Sequence, residues 1–98
     1  MSSATLEERA PATLGSRGQA RSLFAGSESK LRDSVVRLDC SALEVSTPSF
    51  ADELVLVVLV EAAASKLILV DAPTRTVDYA RRSAELRSVA DRLEIQFR

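Results

Sequence analysis

The longest apolar run in the chain lies near its middle, at residues 54–60, and reads Leu-Val-Leu-Val-Val-Leu-Val. By β-propensity this run also suits a buried strand. The Glu-Ala-Ala-Ala segment that follows continues a helix and contains no turn signal, and the next strand pattern begins only at Lys66. Asp52 and Glu53 precede the run, and carboxylates are favoured in a first helical turn because they face the positive end of the helix dipole. The pattern therefore predicts a helix over residues 50–64.

The residues before this helix predict how it begins. Pro48 disfavours helical backbone at Thr47, and the Ser49 hydroxyl can accept a hydrogen bond from the first free N–H groups of the helix, as an N-cap does. A strand, a loop and a helix N-terminus in this order are what parallel α/β folds use to present backbone donors and hydroxyl groups to a partner. Residues 46–54 are therefore the predicted working surface.

Three shorter patterns predict strands. Residues 34–39 are rich in β-branched and apolar side chains. Residues 66–70 read Lys-Leu-Ile-Leu-Val and are almost wholly apolar, as in a strand covered on both faces. Residues 93–98 alternate strictly between apolar and polar side chains, which predicts a half-buried strand at the edge of the sheet.

A second helix is predicted over residues 16–31. Ser16 and Gln19 have the spacing of a capping box, in which each side chain satisfies a free N–H group of the other residue. Apolar residues follow at helical spacing. Gly26 weakens the middle of the segment, so an end near Ala25 is the alternative.

The third predicted helix covers residues 75–92, where apolar side chains supply a broad inner face. Arg81 and Arg82 form a modest basic patch on it, and such a patch is usually solvated. Arg17 and Arg21 lie four residues apart on one face of the first helix. They are also interpreted as a solvated face, and contact with a phosphate or an acidic partner is the alternative.

The predicted elements alternate between helix and strand, which indicates an α/β fold with a small, mainly parallel sheet and helices packed on it. Residues 1–14 have no clear period, so we expect a mobile N-terminal tail before a single domain at residues 15–98. The helix over residues 50–64 is apolar on all faces, and three strands shield only part of it. We therefore expect a dimer or a hetero-complex to cover the rest.

Composition and charge exclude several classes of function. The 98 residues suffice for one small domain with a single core. Thirteen basic and fourteen acidic residues give a net charge of -1, which argues against nucleic-acid binding because that function needs a basic footprint. The absence of histidine removes the commonest general base and the commonest metal ligand. We therefore expect no enzyme, no metal and no cofactor.

The single cysteine, Cys40, cannot form an internal disulfide, so a cytoplasmic protein with a buried thiol is expected. Glu61 interrupts the one apolar run that approaches the length of a membrane span. We therefore expect no association with a membrane.

The run from Val35 to Leu54 resembles the central segment of STAS domains, the fold of bacterial anti-sigma-factor antagonists. In that family a strand leads through a loop to a helix that opens with Asp-Ser-Ser-Gly-Leu. The match is closer to the STAS-like domains of unknown function, whose signature the segment Ser49-Phe50-Ala51-Asp52-Glu53 fits. Gly15-Ser16-Arg17 and Ala20-Arg21 fit the upstream part of that signature, so the resemblance spans roughly Gly15 to Val70.

The resemblance implies a STAS-like fold and a non-enzymatic regulatory or adaptor domain that binds a protein partner through residues 46–54. The partner that it implies is a kinase-like ATP-binding protein, the type that binds STAS antagonists. The implied partner-binding residues are Thr47, Ser49, Phe50, Asp52 and Glu53.

The phosphorylated serine of the antagonists has no direct counterpart in this chain. When the two patterns are aligned through Asp39, that serine falls at Pro48, which has no hydroxyl. Ser49 and Thr47 remain as candidate phospho-acceptors. A phosphate at Ser49 would add about −1.5 to −2 charge beside a helix N-terminus.

Two other interpretations stay open. In the first, Ser49 is an N-cap without a further role, and Asp52 and Glu53 are charges of the first helical turn, one of which meets an arginine of a partner. The chain as a whole can be a small structural subunit of a homo-oligomer, with its apolar central helix buried at the interface.

Overall fold

A computed structural model describes residues 4–98 of the protein. In chain order its elements are strand β1 (Thr5–Arg9), strand β2 (Thr13–Leu14), helix α1 (Arg17–Leu23), helix α2 (Glu28–Leu31), strand β3 (Val35–Asp39), strand β4 (Val45–Ser46), helix α3 (Pro48–Val55) with a π-helical continuation (Leu56–Glu61), strand β5 (Lys66–Val70), helix α4 (Thr74–Leu86), a 3-10 turn (Ala90–Arg92) and strand β6 (Leu93–Gln96).

Four strands form one parallel sheet in the order β1-β3-β5-β6, and the two-residue strands β2 and β4 form a small parallel pair beside it. The strand order follows the chain order, so right-handed crossovers place the intervening helices on the same face of the sheet. The predicted class, a small and mainly parallel α/β domain with helices packed on the sheet, is confirmed.

The four-stranded sheet has two chemically different faces. Val36, Leu38, Leu67 and Leu69 are fully buried in the core with the helices. The opposite face carries ion pairs, for example Arg37 with Glu7 at 3.1 Å and Lys66 with Glu94 at 3.2 Å. We call this second face the charged face of the sheet, and it bears the alternate side chains of all four strands because successive residues of a strand point to opposite sides.

Strand β1 corrects the predicted mobile tail. Residues 5–9 pair with β3 along their whole length, from Thr5 opposite Val35 to Arg9 opposite Asp39. Leu6 packs against the core, and the remaining side chains of β1 are polar or charged. An edge strand tolerates such a composition, which is why the sequence pattern gives little sign of a strand here. Elsewhere in the predicted tail, residues 13–14 form β2 and Ala10 and Leu14 are buried. Residues 1–3 lie outside the described residues.

The predicted helix over residues 16–31 is divided in two. Ser16 caps α1, and its hydroxyl accepts a hydrogen bond from the Gln19 N–H at 3.1 Å. Helix α1 ends at Leu23, and Gly26 adopts a left-handed φ of 82° before α2 begins. A residue without a Cβ adopts this conformation at no steric cost. The alternative end near Ala25 is therefore the better prediction.

The central helix is confirmed over residues 48–61, and six of those residues have π-helical geometry. Most of its side chains are buried, and Val60 is the large apolar side chain that remains exposed, by 44%. Helices α1 and α4 flank α3 within the same chain. Helices of the same chain therefore cover apolar faces of the central helix that the sequence pattern assigns to a second chain. The oligomeric state stays a prediction.

The third predicted helix is shorter than expected. Helix α4 ends at Leu86 rather than at residue 92, because Ser88 has a left-handed φ of 61° and starts the turn that leads to β6. Strand β6 then forms at the edge of the sheet, as its alternating pattern predicts.

Candidate functional site

The segment of residues 46–54 forms the junction between β4 and α3, and Thr47 rather than Ser49 is the N-cap of the helix. The Thr47 hydroxyl accepts a hydrogen bond from the Phe50 N–H at 3.1 Å and donates one to the Gly15 carbonyl at 3.2 Å. Pro48 occupies the first helical position, where its missing N–H is no loss and its fixed φ suits a helix. The preference of proline for this position is the sequence signal that identifies Thr47 as the cap.

The structure separates the five predicted partner-binding residues into distinct environments. Phe50 is fully buried and belongs to the core, so its side chain does not face a partner. Thr47 is half-buried and engaged in its two hydrogen bonds. Asp52 and Glu53 are engaged in ion pairs within the chain. Ser49 is exposed, and among residues 4–98 its hydroxyl has no hydrogen-bond partner.

Glu53 is a buried carboxylate held by two arginines of α1. Its side chain is 7% exposed, with Arg21 Nε at 2.5 Å from Oε2 and Arg17 Nη1 at 3.1 Å from Oε1. Arg21 also donates two hydrogen bonds of 3.0 Å to Glu61 at the end of the π-helical segment. These bonds hold the pKa of the Glu61 carboxyl below its usual range. A buried charge needs such partners because removing it from water is costly.

Asp52 connects α3 to α1 and to the C-terminal end of α4. Arg87 donates to it from Nε at 3.0 Å and from Nη2 at 2.9 Å, Ser83 donates from Oγ at 2.7 Å, and Arg17 donates from Nη1 at 2.8 Å. The hydrogen bonds from Arg87, followed by those from Ser83 and Arg17, hold the pKa of the Asp52 carboxyl well below its usual range. Asp52 is therefore ionised throughout the neutral range.

We refer to these side chains together as the arginine–carboxylate network: Arg17, Arg21, Asp52, Glu53, Glu61, Ser83 and Arg87. The sequence patterns identify Asp52 and Glu53 as charges of the first helical turn or as contacts of a partner, and they favour a solvated face for Arg17 and Arg21. In the structure α3 begins at Pro48, so Asp52 and Glu53 lie beyond its first turn and pair with the two arginines within the chain. The four-residue spacing of Arg17 and Arg21 is the one sequence signal that points to a shared acidic contact.

A groove of about 330 Å³ lies beside this network, between the N-terminal end of α3 and the outer side of α4. We call it the Ser49 groove, and its lining residues are Arg17, Pro48, Ser49, Asp52, Tyr79, Arg82, Ser83 and Leu86. Leu86 is 79% exposed, which is unusual for a large aliphatic side chain. Among residues 4–98, Arg82 has no ion-pair partner, so its charge is available to a ligand.

The α4 residues of this groove are absent from the predicted working surface. Tyr79, Arg82 and Leu86 follow one another at three- and four-residue steps, so they lie along one side of α4. Only the packing of α4 against α3 brings that side next to Ser49.

Three further observations concern the rest of the domain. Burial raises the pKa of the Cys40 thiol to about 12, so this cysteine is a packing residue and not a nucleophile at neutral pH. Among residues 4–98, no cluster of three or more cysteine or carboxylate side chains has the geometry of a metal site. Within the same part of the chain, no helix combines the length and the apolar character that crossing a bilayer requires.

The fold and the groove thus define a parallel α/β domain with an exposed, partly apolar recess at the start of its central helix. No family model, curated protein or solved structure matches the chain. The resemblance of residues 49–53 to STAS-like domains therefore rests on the motif itself.

Proposed function

We propose that the chain is a STAS-like regulatory or adaptor domain without enzymatic activity, and that it binds a protein partner through the Ser49 groove. The observation that carries this proposal is that two polar side chains without a partner and one exposed apolar side chain lie together in one recess. The Ser49 hydroxyl and the Arg82 guanidinium have no partner among residues 4–98, and the apolar Leu86 is exposed beside them. Arginine is enriched among the residues that dominate protein–protein binding, and exposed apolar surface rimmed by polar side chains marks interaction sites.

The chemistry of the groove suggests what the partner presents. Arg82 favours a carboxylate, with which a guanidinium forms two parallel hydrogen bonds. Leu86, Pro48 and the ring of Tyr79 favour an apolar side chain next to that carboxylate. We therefore propose that an acidic and an apolar side chain of the partner enter the groove together. A kinase-like ATP-binding protein is the partner class that the STAS resemblance suggests, in a cytoplasm that keeps Cys40 reduced.

Ser49 is the better candidate for regulation by phosphorylation. Thr47 is the alternative acceptor, but its hydroxyl is used in two hydrogen bonds that hold the start of α3. The Ser49 hydroxyl is exposed and has no such role among residues 4–98. A phosphate on it would face the positive end of the α3 dipole and could recruit Arg82, which would close the groove to an acidic partner.

Photo-crosslinking tests this proposal even when the partner has not been identified. A photoreactive side chain is introduced at Leu86, or at Ser29 as an exposed control on α2, outside the Ser49 groove. We expect a defined protein to crosslink from position 86 and not from position 29, and excess unlabelled domain to suppress the product. The charge reversal Arg82→Glu should suppress it as well. Equal products from both positions would contradict the proposal.

A further inference from the structure

The two edges of the four-stranded sheet differ in chemistry. Strand β1 forms one edge and contains the consecutive charges Glu7, Glu8 and Arg9. Strand β6 forms the other edge and contains a single charge, Glu94, among its four residues. Charged residues along an edge strand oppose pairing with another chain, whereas an edge with fewer charges leaves its backbone N–H and C=O groups available. Among residues 4–98, no strand pairs with the outer edge of β6.

The side chains of β6 and of the two residues after it divide between the faces of the sheet. Leu93 and Ile95 are partly buried against the core on the helix-covered face. Phe97 follows Ile95 by two residues, so it lies on the same side of the sheet, and it is 71% exposed. Glu94 lies on the charged face, where it accepts a hydrogen bond from Lys66 at 3.2 Å. Arg98 shares that face, and its ion pairs with Asp39 and Asp71 are long, at 3.6 and 3.9 Å.

We propose that β6 pairs with β6 of a second copy of this chain, in an antiparallel arrangement with Gln96 on the two-fold axis. A strand that pairs with its own copy across a two-fold axis runs antiparallel to it, and directly opposite residues then share a face of the sheet. With Gln96 on the axis, Ile95 lies opposite Phe97 of the second copy, and Glu94 lies opposite Arg98 of the second copy. The two sheets join into one sheet of eight strands.

Charge complementarity selects this register over its neighbour. A shift that puts Ile95 on the axis places Leu93 opposite Phe97 and Glu94 opposite Gln96. Apolar side chains still lie opposite one another in that register, but the opposite charges no longer meet. Opposite charges directly across an antiparallel pair stabilise it, and the chosen register forms two such Glu94–Arg98 pairs. It also covers the exposed Phe97 ring, one from each copy, with Ile95.

The interface involves short strands and few side chains, so the dimer is expected to be weak and to depend on protein concentration. It does not include the Ser49 groove, whose residues lie on α1, α3 and α4. The proposal is therefore independent of the proposed function, and both can hold in one molecule.

Sedimentation equilibrium over a range of concentrations tests the dimer and its register. We expect wild type to dimerise reversibly, Glu94→Arg and Arg98→Glu each to weaken dimerisation by about five- to tenfold, and the double variant to recover most of that loss. Phe97→Glu changes an exposed residue and should weaken the dimer while leaving the melting temperature unchanged. A wild-type protein that stays monomeric at every concentration would overturn the proposal, and so would a double variant as weak as the single variants.

A disulfide provides a second readout that does not depend on the strength of the dimer. Residues opposite each other at the axis of an antiparallel pair have a Cα separation of about 4.5–5.5 Å, which suits a disulfide. We expect Gln96→Cys to form a disulfide-linked dimer under mild oxidation, while Glu7→Cys on the opposite edge does not. The buried Cys40 takes no part. Equal crosslinking of the two variants, or none of Gln96→Cys, would reject this register.

Discussion

The carboxylate of Asp52 and the guanidinium of Arg87 meet through two hydrogen bonds, in which Nε donates to Oδ1 at 3.0 Å and Nη2 donates to Oδ2 at 2.9 Å. The pair joins α3 to the residue that follows α4, and Arg17 of α1 adds a third contact at 2.8 Å. Asp52 thereby fixes the position of three helices that line the Ser49 groove. A residue of the signature-like motif is thus used to hold the groove in shape.

Replacement of Asp52 by asparagine tests this role. The asparagine side chain keeps the shape of the aspartate but loses the charge and one of the two acceptor oxygens that Arg87 and Ser83 use. We expect Asp52→Asn to lower the free energy of unfolding by about 1–2 kcal/mol, a value reduced for partial exposure to water. Urea unfolding at neutral pH measures it. Glu85→Gln, the equivalent change at an exposed site of α4, should stay within about 0.5 kcal/mol of wild type.

The pH dependence of the same pair gives a second expectation. The folded state lowers the pKa of Asp52 below its unfolded value of about 3.9. The stability from this carboxylate is therefore complete above that unfolded value and is lost as the pH falls toward the folded pKa. The difference in unfolding free energy between wild type and Asp52→Asn should shrink as the pH is lowered from about 5 to about 2. A constant difference over that range would show that Asp52 acts through its shape and not through its charge.

Thr47 and Ser49 are predicted to respond differently to loss of their hydroxyl groups. Thr47→Val removes the oxygen that accepts from the Phe50 N–H, and we expect a loss of about 0.5–2 kcal/mol. Ser49→Ala removes a hydroxyl without a partner among residues 4–98, so we expect a change within about 0.5 kcal/mol. Thermal or urea unfolding of the two variants compares them directly. A larger loss for Ser49→Ala would return the capping role to Ser49.

An element can be predicted from the sequence when the residues that determine it lie close together along the chain. Strands β3 and β5 have the predicted positions because their apolar patterns are local and strong. Strand β1 is missed because one apolar residue, Leu6, and a partner strand far along the chain decide its conformation. The pairing of Arg17 with Asp52 joins residues thirty-five positions apart, and no local pattern identifies such a partner. The same limit applies to the Ser49 groove, which three separately predicted helices form by packing together.

The end of the central helix provides a test of backbone strain. Ala63 has a left-handed φ of 55°, where an alanine Cβ is crowded and glycine is not. We expect Ala63→Gly to raise the free energy of unfolding by about 0.5–1 kcal/mol, because relief of strain exceeds the added entropy of the unfolded chain. Ala62 has a φ of −82°, so Ala62→Gly should destabilise the protein by up to about 1 kcal/mol. Urea unfolding should therefore show opposite signs for two neighbouring substitutions, and a loss at both positions would exclude a strained Ala63.

The proposed function depends on the Ser49 groove, and neighbouring side chains of the domain supply matched variants. Arg82 lines the groove, whereas Arg81 is an exposed arginine outside it. Ser49→Asp places a negative charge in the first turn of α3, where the dipole favours it, so stability should change by less than about 1 kcal/mol. Any effect of these variants on binding can then be separated from an effect on folding.

The most direct measurement is calorimetric titration of the crosslinked partner, once purified, into wild type, Ser49→Asp, Arg82→Glu and Arg81→Glu, with a thermal melt of each variant. We predict that Ser49→Asp and Arg82→Glu weaken binding by about tenfold or more, as loss of a central interface contact does. Arg81→Glu should remain within about threefold of wild type, because charges outside a contact contribute little. If Ser49→Asp and Arg82→Glu bind as tightly as wild type, the Ser49 groove is not the recognition surface.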